Sequence, residues 1–307
     1  MRPAWSVVFL TTLIGAGQGL FAAAFAAEVL RAPATREFFV AAAAGALVLA
    51  SLGLFASFFH LGRPERAWRS AAMWRTSWLS REVIALPLFM AFAAAWGLAH
   101  HFGTGSTLLI GAFGLAACLA LFGCTAMIYA CIRFLQEWAS PYTPANFVLM
   151  GCASGTTLAA AIAAPLAPYL GRSFAFGAIV LATTALAVRV ASIARNSRIK
   201  PRSTLQSAIG VRDPVVRQVS QGFTAGAFNT REFFHGRSFR FMQALRFTFP
   251  LLAFIIPTVL IGAGIATESF GLLVTACVVQ YVGLVMERWY FLADANHPQN
   301  LYYQRVA

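Results

Sequence analysis

The sequence predicts an all-α integral membrane protein, a bundle of eight transmembrane helices with both termini on the same side and a single membrane domain over residues 1–307. Three observations predict it. The chain is 59% hydrophobic and only 11% charged, with a mean hydropathy of +0.71, far from the usual balance of soluble domains. Eight apolar stretches meet or approach the roughly 20 residues that cross a hydrocarbon core about 30 Å thick. The net charge of +13 is collected between those stretches, where it reads as topology and membrane flanking rather than as a nucleic-acid surface.

In chain order the spans are Trp5 to Ala27, Phe38 to Phe59, Val83 to Ala99, Leu108 to Ile132, Phe147 to Ala167, Phe174 to Ala194, Phe247 to Thr267, and Phe270 to Met286 with some extension. The first is charge-free and ends in alanines like a secretory signal, but its length and the spans that follow argue for a retained helix. Gly15, Gly17, Gly19 and the run Ala41 to Gly45 allow close backbone approach where lipid supplies no hydrophobic drive. Pro87, Pro165, Pro250 and Pro257 fall near span ends or one turn inside, where kinks are tolerated. The sixth span contains Arg189, the one charge inside a predicted span, and no carboxylate lies deep in any of them. The five cysteines sit in the apolar runs without a Cys-x-x-Cys pair, so they read as packing residues rather than metal ligands or disulfides.

Eight spans put both termini and the loops after the second, fourth and sixth helices on one side. Of the 23 Lys and Arg, 19 lie on that side and 3 (Arg31, Arg36 and Arg172) on the other. The asymmetry predicts a bacterial inner (cytoplasmic) membrane protein, multi-pass, with the charged side and both termini in the cytoplasm.

The interfacial loop 60–82 carries the chemistry. It runs His60-Leu61-Gly62-Arg63-Pro64-Glu65-Arg66-Ala67-Trp68-Arg69-Ser70 and continues through Trp74-Arg75-Thr76-Ser77-Trp78-Leu79-Ser80-Arg81-Glu82. Gly62 and Pro64 stop the second helix at His60, and Ser80 can cap the third with Glu82 in its first turn, where the helix dipole favours a carboxylate. A quinone pocket needs hydrogen-bond partners for the ring oxygens, a group that titrates near neutrality and apolar walls. His60 can exchange the proton, Glu82 can relay it, and Arg66 or Trp68 can hold or line the ring. Interfacial Trp and Arg are also ordinary membrane anchors, and Glu82 can serve as cap and dipole partner alone.

These residues resemble the DMSO reductase anchor subunit family, the eight-helix membrane subunits of three-subunit molybdopterin oxidoreductases. The likeness rests on His60-Leu61-Gly62-Arg63-Pro64, Arg66-Ala67-Trp68 and Ser77-Trp78-Leu79-Ser80 with Glu82. It is supported by Gly15-Ala16-Gly17-Gln18-Gly19 and the final Glu287-Arg288-Trp289-Tyr290-Phe291. The resemblance implies a subunit that holds no metal of its own. It would anchor a ferredoxin-like iron-sulfur subunit and a molybdopterin catalytic subunit, and exchange electrons with menaquinone or ubiquinone. It associates His60 and Glu82 with quinol binding, and Gln18 matches a further family position, although a buried amide can equally bridge helices. On this reading the chain does not act on the sulfur substrate itself.

Haem is disfavoured separately: the five histidines, His60, His100, His101, His235 and His297, supply no axial pair at one depth of the membrane. The basic loop 195–246, with Asn229-Thr230-Arg231-Glu232-Phe233-Phe234-His235-Gly236, is a candidate docking segment. Arg231 and Arg237 would join Arg63, Arg69 and Arg75 in a positive platform for the iron-sulfur subunit, while a solvated loop or a contact with anionic lipid is the plainer reading. Cytoplasmic partners resemble the branch that passes electrons from sulfite to quinone more than the quinol-oxidising anchors of reductases for DMSO or other S- and N-oxides. Two further readings stand beside these. A secondary transporter would place carboxylates inside its spans. An anchor that binds partners but no quinone would hold His60 and Glu82 apart.

Overall fold

The computed structural model describes residues 1–217 and 233–302, and among them all regular structure is helical. Eight helices are long and apolar enough to cross a membrane. They are α1 (Trp5–Val29), α2 (Arg36–Ser57, continued by a 3-10 turn Phe58–His60), α3 (Trp78–Phe102), α4 (Thr107–Ala130), α5 (Tyr142–Leu166), α6 (Pro168–Asn196), α7 (Phe239–Ala266) and α8 (Phe270–Asp294). Local sequence explains their ends. Thr35, Ser77, Ser238 and Ser269 each accept a backbone N–H of the first turn of α2, α3, α7 and α8. Gly103, at φ 71°, closes α3 in the left-handed conformation.

One expectation about helix ends changes and another gains its length. Ser77, not Ser80, caps α3, so Glu82 lies in the second turn and faces the protein interior, away from the exposed N–H groups that would make it a dipole partner. The extension of the eighth helix beyond Met286 reaches Asp294 and carries Glu287 and Arg288 inside its buried last turns. An apolar-run criterion breaks at the first charge, whereas a helix continues while its charges have partners.

The eight helices pack as two four-helix rings, α1–α2–α3–α4 and α5–α6–α7–α8, joined mainly where α1 meets α5, with smaller contacts of α4 with α5 and of α1 with α8. The α1–α5 seam is made by glycine. A Cβ on Gly19 would sit 2.0 Å from the Gly151 carbonyl oxygen, and one on Gly155 would sit 2.1 Å from the Gly19 carbonyl carbon. The α7–α8 seam is similar: Gly283 faces the Ala253 nitrogen inside a π-helical stretch, Leu251–Ile255, just before Pro257. Proline has no N–H to donate, and one wide turn is a common way for a helix to absorb that loss.

Candidate functional site

The start of α1, the turn after α2, the start of α3 and the end of α8 meet at one end of the bundle, where the Met1 ammonium donates to the Ala293 and Ala295 carbonyls at 3.0 and 2.9 Å. His60 lies here at the end of its 3-10 turn. It lines a hollow of about 440 Å³ with Trp5, Phe59, His235, Arg237 and Trp289. Phe59 is exposed at this hollow, and Phe55 and Phe58 beside it at the end of α2 are exposed as well. His235 and Arg237 also wall a second hollow of about 570 Å³ that contains Glu137, Arg246 and Asp294. Partial burial holds the His235 imidazole below its ordinary pKa; the N-terminal ammonium and Arg237 add to that, and Asp294 opposes it.

Glu82 does not share the His60 hollow. Its carboxylate is buried inside the first ring, where it accepts a hydrogen bond from Thr125 Oγ1 at 2.5 Å. With Gln18, Thr12, Ser154 and Arg288 it lines an internal cavity of about 20 Å³, room for a water molecule. The Gln18 amide donates to the Cys118 carbonyl at 2.8 Å, and Cys118 Sγ returns a contact to the Gln18 carbonyl at 3.5 Å. The structure therefore brings Gln18 and Glu82 together and leaves His60 at the rim. Cavity and rim are both lined by α1 and α8. Ser6 stands at the hollow and Thr11 at the cavity, five residues or about 7.5 Å further along α1.

The other sequence-derived residues face outward. Arg66 and Trp68 are exposed on the 3-10 helix Pro64–Ala71, Arg66 within 3.9 Å of Glu65, and neither lines a cavity with His60 or Glu82. Arg63, Arg69, Arg75 and Arg237 are exposed. Arg231 and the rest of 218–232 lie outside the described residues.

Sequence reasoning missed the charge cluster that reaches the cavity through Arg288. Arg189 Nε lies 2.8 Å from Glu287 Oε1, and Arg288 Nη2 lies 3.6 Å from Glu287 Oε2, with all three side chains almost wholly buried. The Arg288 guanidinium also rests 3.7 Å above the Phe147 ring. The expectation that no carboxylate lies deep in a span is thus overturned by Glu82 and Glu287. A signal was present: a lone arginine in a span demands an acidic partner, and Glu287 beside Arg288 ends the last apolar run. Among the described residues, no three His, Cys, Asp or Glu gather closely enough to ligate a metal.

The family model for "DMSO reductase anchor subunit (DmsC)" matches residues 1–303, almost the whole chain. The chain belongs to the DMSO reductase anchor subunit family. Within it, the chain is 51% identical to the C subunit of the sulfite dehydrogenase of Allochromatium vinosum, with all of both chains covered. As a DMSO reductase anchor subunit family member with eight membrane-crossing helices, it is a membrane protein built to hold other subunits to the bilayer.

Proposed function

We propose that this protein passes electrons between an iron-sulfur partner and membrane quinone, in a complex whose molybdopterin subunit oxidises sulfite. The observation that carries the reading is the His60 hollow: large enough for a quinone ring, walled by Trp5, Phe59 and Trp289 beside two imidazoles, and sharing α1 and α8 with an internal cavity that holds Glu82 and Gln18. Reducing a quinone consumes two electrons and two protons, and oxidising sulfite with water to sulfate releases the same number of each. His60 holds the ring at the rim. Glu82, Gln18 and Arg288 hold a polar interior within about two helical turns, through which a proton reaches or leaves the ring. The relative's name supports sulfite as the partner's substrate. The charge asymmetry supports a cytoplasmic face for the partners, and the exposed Arg63, Arg69, Arg75 and Arg237 supply a positive surface for the iron-sulfur subunit. The family description favours one other direction, quinol oxidation by a reductase of DMSO or a related oxide.

The test is turnover of the assembled complex with His60→Ala and Glu82→Gln. Quinone-linked sulfite oxidation should fall at least tenfold in each, with dye-linked oxidation and complex assembly retained. Full quinone-linked turnover in both variants rejects the site. DMSO-dependent quinol oxidation without sulfite-dependent quinone reduction selects the reductase direction.

A further inference from the structure

We propose that His235 is a binding residue for the quinone ring, donating a hydrogen bond from its Nε2–H to a ring oxygen seated in the His60 hollow. The inference rests on the reading of that hollow as the quinone site.

His235 reaches the hollow from a different part of the chain. It belongs to the segment leading into α7, 175 positions after His60, yet both imidazoles line the same space. Three contacts place it. Two residues earlier, the Phe233 ring lies flat on His297, centroids 3.9 Å apart, and the Phe233 carbonyl accepts from Asn300 Nδ2 at 3.2 Å, which ties the segment to the chain beyond α8. The His235 ring itself stands tilted against Trp289 of α8, 6.5 Å between centroids. The backbone N–H of Arg237 donates to His235 Nδ1 at 3.1 Å.

That last bond sets the chemistry. An imidazole that accepts at Nδ1 carries its single N–H on Nε2, so the ring presents a donor and no second acceptor. Its partial burial keeps the ring neutral near pH 7. A neutral donor of fixed tautomer suits an uncharged carbonyl oxygen, which accepts hydrogen bonds and gains them more strongly as electrons arrive. His235 and Arg237 line both this hollow and the neighbouring one that contains Glu137 and Asp294, so the ring stands at the boundary between the two.

The experiment uses the assembled complex in nanodiscs and decylubiquinone as the probe, with binding followed by quenching of protein tryptophan fluorescence. His235→Phe keeps a planar ring and removes both nitrogens; His235→Gln restores an N–H donor. The dissociation constant should rise about tenfold in His235→Phe and by no more than about threefold in His235→Gln, the loss of roughly one hydrogen bond. KM for decylubiquinone should follow, with kcat changing less. Wild-type affinity in His235→Phe, or equal weakening in both variants, overturns the donor role. If His60→Ala weakens binding while His235→Phe does not, only the His235 assignment fails. If the wild-type complex binds no decylubiquinone, the quinone reading itself fails.

Discussion

Glu287 is the residue on which most charge converges: it serves Arg189 from α6 and Arg288 from its own helix, in a setting without bulk water. Removing one member of a buried pair strands the other, at a cost of about 3–5 kcal/mol. Arg189→Met should therefore lower the melting temperature of the detergent-solubilised protein sharply. Arg189→Met with Glu287→Met should recover only part of it, because Arg288 then lacks its carboxylate. Equal melting temperatures for wild type and Arg189→Met would show that the pair carries no stability. Glu137, in the turn between α4 and α5, gives a pH-dependent case. Burial raises its carboxyl pKa, with Asp294 adding to the rise against backbone hydrogen bonds that lower it. A raised pKa means that the fold favours the proton, so this contribution is intact at low pH and is lost as pH rises through the folded value. Glu137→Gln should accordingly raise the melting temperature at pH 8 and leave it nearly unchanged at pH 4, a comparison that thermal scans at the two pH values settle.

At the scale of elements, the joints between helices are backbone contacts that side chains would block. Gly155→Ala should cost about 1–3 kcal/mol by forcing α1 and α5 apart. Gly123→Ala, on α4 with open space around it, should cost nothing. Melting curves of the two variants measure the difference, and similar curves would refute the glycine seam. The eight helices were readable from run length, and the role of Gly19 from composition. The starts of α3 and α7 and the end of α8 were not, since Ser77, Ser238 and the paired charges of α8 extend each helix beyond its apolar core.

Across the whole molecule, charge asymmetry predicts which end faces the cytoplasm. Cys131, the exposed cysteine at the end of α4, lies at the His60 end. A membrane-impermeant maleimide should label it only after the inner membrane is permeabilised, whereas Thr104→Cys in the turn after α3 should label in intact spheroplasts. The reverse pattern would place the His60 end outside the cytoplasm.

Residues 60–82 stood out in the sequence as a candidate site because a histidine, arginines, tryptophans and a carboxylate crowd one short loop. What the loop could not reveal is that its two titratable ends line different spaces. Glu82 turns inward to Thr125, Gln18 and Arg288, while His60 remains at the rim with His235 and Trp289. The sequence by itself determined the membrane class, the eight crossings and the charged end, because hydropathy and charge act locally and need no knowledge of neighbours. The tertiary structure alone decided the partners of Arg189 and Glu287, the division between rim and cavity, and the arrival of His235. Each depends on which helices touch, and helix contact in a bilayer is settled by close backbone packing and mutual charge satisfaction between segments far apart in the chain.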